Sequence, residues 1–207
     1  MAASTAPVHG GAGGDGTLFR ITTRGAFTLL YSFLGLSDGA SPNPLIQGSD
    51  GSFYGTCQSG GANGTGTVFK ITAGGVFTLL HAFSLNGAAD GEEPLSGLAE
   101  GSDGAYYGTC MFGGAYDYGT VFRITPAGAF SVVYSFQGGA DGAMPAAPVV
   151  QGSDGNLYGT CSAAGLYQSG TIFKLNLTGF LVPLHSFDPV TDGAYVLERL
   201  LQANDGN

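Results

Sequence analysis

Gly66-Thr67-Val68-Phe69-Lys70-Ile71 is one of four copies of a single hexapeptide. The others are Gly16-Thr17-Leu18-Phe19-Arg20-Ile21, Gly119-Thr120-Val121-Phe122-Arg123-Ile124 and Gly170-Thr171-Ile172-Phe173-Lys174-Leu175. They start 50, 53 and 51 residues apart, and the same flanking pieces accompany each in the same order. A period of about 50 residues holding several short strands points to a ring or array of small sheets.

Working outward from Gly66 gives one whole unit. Pro44-Leu45-Ile46-Gln47 is a short apolar run that ends at Gly48-Ser49-Asp50-Gly51, and Phe53-Tyr54-Gly55-Thr56-Cys57 returns from it. Asp-Gly between two such runs is a strong hairpin signal. A glycine-rich loop from Ser59 leads into Thr67–Thr72, and Ala73-Gly74-Gly75 turns the chain into Val76–Phe83. No stretch has the 3.6-residue apolar period of a helix. Four antiparallel strands repeated about an axis are the blades of a propeller.

The ends of the chain fit the same scheme. Ser4 lies one repeat before Tyr54, and Leu200–Asn207 matches Val149–Asn156. The first strand of one blade is therefore expected from the C-terminal end and strands two to four from the N-terminal end. From Ser4 to Asn207 is 204 residues, or four times 51. The expectation is an all-β propeller of four blades, four antiparallel strands each, closed where the two termini share one blade. Its units are 4–43, 44–94, 95–146 and 147–197, with 198–207 completing the first. Closure removes open sheet edges. Two chains forming an eight-bladed ring is the alternative, so a homo-oligomer is also in view.

Composition narrows the function. Only 10% of residues are charged, against roughly 25% in an average domain, while glycine supplies 38 of 207. The hydrophobic fraction of 43% argues for a packed core. The net charge of -9 reflects a shortage of bases, since Lys and Arg together number 6. That is too few for the footprint a phosphate backbone requires, which argues against nucleic acid and against an anionic membrane surface. No apolar run approaches the ~18 residues of a membrane span, so membrane insertion is not expected. Met1–Val8 has neither the basic nor the apolar stretch of a signal peptide, which reads as a cytosolic protein or a mature form. Cys57, Cys110 and Cys161 occupy equivalent positions in different repeats. They are expected a blade apart, beyond disulfide reach, as free and half-buried thiols.

Gly-Ser-Asp-Gly-Xaa-Xaa-Tyr-Gly-Thr, Gly-Gly, Gly-Thr-Val-Phe-Lys-Ile-Thr, Leu-Leu-Tyr-Ser-Phe and Asp-Gly-Xaa-Xaa-Pro follow one another through the chain. Together they resemble the glycine-rich extracellular tandem repeats called GloVer repeats, over essentially the whole length. The resemblance implies bacterial proteins that are exported and often surface-anchored, with a propeller-like fold and no established activity. It supplies no catalytic residues. Cysteine after Tyr-Gly-Thr, where the family usually has threonine, is a departure.

Chemistry is sought in the fourfold sets. Arg20, Lys70, Arg123 and Lys174 are equivalent, as are the turn acids Asp50, Asp103, Asp154 and Asp205. These acids stabilise turns and pair with the bases, or they are oxygen ligands for one Ca²⁺ per blade; no other cofactor is expected. Asp38, Asp90, Asp141 and Asp192 form a further acidic set. Gln47, Glu100, Gln151 and Gln202 end each first strand and are read as a polar ring at the axis, open to water, a cation or a ligand. Tyr31, His81, Tyr134 and His185 are equivalent too; no carboxylate or nucleophile flanks either histidine, so catalysis by them is not expected. Phe112, Tyr116, Tyr118, Leu166 and Tyr167 sit in the loop between strands two and three of two repeats, where the other repeats carry only small residues. Aromatic loops at one end of a rigid scaffold suit sugar or protein contacts. The reading is a non-catalytic module that binds a glycan or cell-surface polymer. The alternatives are a polysaccharide-cleaving enzyme using Glu92, Glu93 and Glu100, or a self-assembling structural module.

Overall fold

The computed structural model describes residues 13–85 and 89–203. Among them there is no helix, and so none long and apolar enough to cross a membrane. The strands form four antiparallel sheets in chain order. The first holds β1 (Thr17–Ile21) and β2 (Phe27–Ser32). The second holds β3 (Ala40–Pro42), β4 (Ile46–Gln47), β5 (Phe53–Ser59), β6 (Thr67–Ile71) and β7 (Phe77–Ala82), with β3 and β4 both paired to β5. β8 (Ala99–Glu100), β9 (Tyr106–Cys110), β10 (Thr120–Ile124) and β11 (Phe130–Ser135) make the third. β12 (Val150–Gln151), β13 (Leu157–Cys161), β14 (Thr171–Leu175) and β15 (Leu181–Ser186) make the fourth.

These are propeller-like blades, and four sheets are consistent with the expected count of four. The strand expected at Ser4–His9 lies outside the described residues, as do Asn204–Asn207. The described part of the C-terminal stretch, 198–203, forms no strand. The sheets are therefore unclosed: the first blade shows two strands where four are expected. First strands are shorter than the sequence suggests, because β4, β8 and β12 pair over two residues each.

Each strand-three to strand-four hairpin carries a register shift just before the same phenylalanine: Leu18/Phe19, Val68/Phe69, Val121/Phe122 and Ile172/Phe173. A bulge at that point bends the strand and raises its twist. The phenylalanine lies across the glycine of Tyr-Gly-Thr on strand two. A Cβ on Gly108 would sit 2.4 Å from Phe122 Cζ, and one on Gly159 would sit 2.5 Å from Phe173 Cζ. No other residue fits under the ring.

The core lies between blades rather than within them. Leu18, Phe33, Cys57, Phe69 and Ile71 pack as one cluster drawn from blades one and two. Blades two and three share Tyr54, Phe83, Cys110 and Phe122, and blades three and four share Tyr107, Phe136, Cys161 and Phe173. The cysteines are free as expected but fully buried, and burial pushes the Cys57 thiol up to about 12. Buried threonines stitch neighbours together: Thr56 Oγ1 donates to Ser96 O at 2.7 Å, Thr109 Oγ1 to Ala147 O at 3.1 Å, and Thr160 Oγ1 to Glu198 O at 3.2 Å.

Candidate functional site

The two ends of the blades carry different chemistry. At the end bearing the Asp-Gly turns, each aspartate is held by a base twenty residues on, a tyrosine and a backbone amide. Lys70 Nζ meets Asp50 Oδ2 at 2.8 Å, Tyr54 OH donates to the same oxygen at 2.9 Å, and Ser52 N donates to Oδ1 at 2.9 Å. Arg123 donates through Nε and Nη2 to Asp103 Oδ2 at 2.9 and 2.8 Å, and Tyr107 OH joins at 3.0 Å. Lys174 and Tyr158 hold Asp154 at 2.7 and 2.9 Å. Asp205 lies outside the described residues. Donors, rather than further carboxylates, converge on these acids. Among the described residues no three His, Cys, Asp or Glu side chains come together as a metal cage.

The pairing sets the titration. The hydrogen bond from Lys70 holds Asp50 down at about 2, and that from Lys174 lowers Asp154. Partial burial pulls Asp103 upward, but its bonds from Arg123, Ala105 and Tyr107 win and its pKa falls. A depressed folded pKa contributes stability that is full above the unfolded value of about 3.9 and is lost as pH falls. Thermal midpoints are expected to hold steady from neutral pH to about 4, then decline toward pH 2. Asp103→Asn should cost about 0–1 kcal/mol at pH 7 and shrink the decline below pH 4. Melts across that range test this; an acid limb of unchanged size in the variant would refute the assignment.

Gln47, Glu100, Gln151 and Gln202 lie at the same end. Glu100 accepts from Ser49 N at 3.1 Å and Ser49 Oγ at 2.6 Å. Gln151 Oε1 accepts from Ser102 N at 2.7 Å, Gln202 Nε2 donates to Ser153 Oγ at 3.2 Å, and Gln47 Nε2 donates to Gly51 O at 3.4 Å. Glu100, Gln151 and Gln202 thus clip the turn of the preceding blade. No local pattern marks this contact, because each partner lies 49 or 51 residues away.

The fourth-strand set corrects the sequence reading. Carboxylates do reach both histidines: Asp90 Oδ2 lies 3.0 Å from His81 Nε2, and Asp192 Oδ2 lies 2.5 Å from His185 Nε2. Tyr31 and Tyr134 bond Asp38 and Asp141 at 2.8 and 3.0 Å in the same way. The two repeated sets pair across the crossover to the next blade, which adjacency in sequence does not reveal. Burial, then the aspartate bond, pushes Tyr31 and Tyr134 up to about 12. At His81 burial lowers the pKa and outweighs Asp90, so the ring is neutral at pH 7. Its face is covered by Phe130 at 3.8 Å, and Ser84 Oγ bonds the aspartate rather than the imidazole. Among the described residues the arrangement is a structural pair in which the imidazole bonds Asp90.

The opposite end gathers the loops after strand two and the crossovers between blades. Glu93 N donates to Thr65 O, Met144 N to Tyr118 O and Tyr195 N to Ser169 O. Ser41, Glu93, Met144 and Tyr195 are equivalent, and all four are left-handed at φ 52–59°. Such backbone in non-glycine residues is costly and concentrates at functional sites. In three repeats the only hint in the sequence is the proline that follows. Beside these crossovers Tyr116, Tyr118 and Tyr167 are 56%, 42% and 53% exposed, with Leu166 exposed next to Tyr167. Phe112 is partly buried and pairs its backbone with Glu92. Tyr118 lies along Gly138, where an added Cβ would be 2.5 Å from its ring. Glu92 and Glu93 belong to this end and Glu100 to the other, so the three acids are not brought together.

Comparison places the chain among known folds. The extracellular domain of a protein classed as a one-component system of B. thetaiotaomicron superposes with a TM-score of 0.62 at 11% identity, over 92% of this chain and 23% of that one. A gluconolactonase from Xanthomonas campestris superposes with a TM-score of 0.50 at 19% identity, over 81% of this chain and 54% of that one. The chain thus spans about a quarter of the first and half of the second; at these identities the likeness is one of fold. No curated protein matches it. The repeat pattern over residues 5–207 matches the Gloeobacter/Verrucomicrobia repeat, the family resembled by its motifs, and the chain belongs to that family.

Proposed function

We propose that the chain is a non-catalytic binding module that recognises a glycan or cell-surface polymer at its loop end, outside the cell. The observation that carries this reading is the row of exposed tyrosines, Tyr116, Tyr118 and Tyr167, with Leu166, on adjacent blades. Flat apolar faces with a polar tip stack on sugar rings and hydrogen-bond around them. The acids at the opposite end are already engaged by bases, tyrosines and amides, which leaves the loops as the open chemistry. An extracellular setting is supported by the family and by the extracellular domain that shares the fold. Two aromatic loops bound to one polymer would add by multivalency.

A glycan array tests this, run with calcium and with chelator on the protein and on Tyr116→Ala, Tyr118→Ala and Tyr167→Ala. Binding to one sugar class, weakened roughly 2- to 12-fold per lost ring, is expected. Silence under both conditions, or binding unchanged in the triple variant, would overturn the reading. Binding that survives chelation leaves the Asp50, Asp103 and Asp154 turns to structure alone.

A second reading, a self-assembling repeat module, is favoured by the uncovered faces of the end blades. The repeat count supports four blades, with the blade that strands from the two chain ends would share formed within one molecule or between two copies.

A further inference from the structure

The two ends of the array present the two halves of a junction that the molecule builds three times internally. Tyr31 stacks on Phe77 at 4.3 Å and His81 on Phe130 at 3.8 Å, while Tyr134 and Leu181 pack onto one cluster. Beside them the backbones come close. A Cβ on Gly75, Gly128 or Gly179 would lie 3.0, 3.3 or 2.9 Å from the carbonyl oxygen of Leu30, Leu80 or Val133 in the preceding blade.

At the ends both halves are open. Leu184 and His185, equivalent to Leu30 and Tyr31, are 52% and 47% exposed. Phe27, equivalent to Phe77, is 63% exposed, and a Cβ on Gly25 would meet nothing within 4 Å. Among the described residues of one molecule nothing covers either face. The fourth blade nevertheless already carries the seat of a following blade, where Thr160 and Ser153 bind Glu198 and Gln202. The chain also superposes on a part of longer chains, 23% of one and 54% of another.

We propose that a second copy of this chain completes the array head to tail. The β2 face of one copy, with Phe27, docks on the β15 face of the other, with Leu184 and His185. Residues 198–203 of one copy and β1–β2 of the next then build one blade in common. The partner is specified by the junction itself: it must offer an open glycine turn followed by an aromatic opposite Leu184 and His185, and this chain carries that surface exposed. Such a heterologous contact closes into a ring or continues as a filament according to its rotation. The inference is kept apart from the glycan reading by Tyr116 and Tyr118 on the third blade, whereas Leu166 borders Leu184 and His185 on the docking face.

Sedimentation velocity across a wide concentration range tests it on the full chain, on Phe27→Asp and on Leu184→Asp. The unaltered protein is expected to self-associate, and each variant to do so roughly tenfold or more weakly. An equimolar mixture of the two variants should regain a dimer, because each retains the face the other has lost. Both positions are exposed, and circular dichroism checks folding; Phe27→Ser and Leu184→Ser are a milder pair for the same test. A wild-type monomer at every concentration, variants that associate undiminished, or a mixture that stays monomeric would each overturn the proposal.

Discussion

Replacing Phe122 by alanine is expected to lower the stability of this protein by about 3–5 kcal/mol. The ring is fully buried, edge-on to Phe83 at 5.4 Å and stacked on Phe130 at 5.5 Å, so it joins blades two and three. Across the strand pair it covers Gly108. That glycine has no side chain to swing into the space left behind, and the flanking rings are fixed by their own strands, so the site collapses poorly. Against a total of about 5–15 kcal/mol for a domain, the loss is large. It corresponds to a fall in Tm of order 10 °C. Denaturant titration with an unchanged slope is the measurement. A cost below about 1 kcal/mol would mean that the inter-blade core repacks freely and that the Phe-over-Gly contact does not set the blade spacing.

The second large effect is a contrast between two equivalent glycines. Gly142 has φ +100°, and a Cβ there would lie 2.3 Å from Thr171 Oγ1 and 2.8 and 2.9 Å from Cys161 Cβ and Sγ. Both neighbours are fully buried, so neither can yield cheaply. Gly142→Ala should therefore combine backbone strain of about 1–2 kcal/mol with overpacking of about 1–3 kcal/mol. Gly193 has nearly the same backbone, φ +94°, but a Cβ there would meet nothing within 4 Å. Gly193→Ala should cost only the strain. Chemical unfolding of the two variants separates the terms, and equal losses would show that packing at Gly142 is not the constraint.

Much of the fold was legible because the chain repeats. Asp-Gly fixed the hairpins, the alternating apolar runs fixed strands two to four, and the base after phenylalanine found the turn aspartate within the same blade, where register alone brings them together. What escaped depends on how one blade is rotated against the next. His81 has only Leu80 and Ala82 beside it in sequence, yet Asp90 reaches it from the crossover, and Glu100 clips Ser49 one blade back. The left-handed quartet from Ser41 to Tyr195 escaped for a different reason: serine, glutamate, methionine and tyrosine share no side-chain property that favours positive φ. The aromatic loops were legible as departures from the repeat, since Tyr116, Tyr118 and Tyr167 stand where the other units carry small residues.

The threonine stitches and the Glu/Gln clips have one property in common: each ties a blade to the next one and to no other. Stability in such an array is a sum over nearest neighbours. A blade held on both sides is protected, and a terminal blade frays first. Opening therefore runs inward from the ends, and the slowest amide exchange belongs to β5, β6, β9 and β10, where Thr56 and Thr109 anchor the middle of the array. Adding or removing a repeat changes the length of this zipper without altering any single contact, which is how such a unit can vary in copy number and still fold.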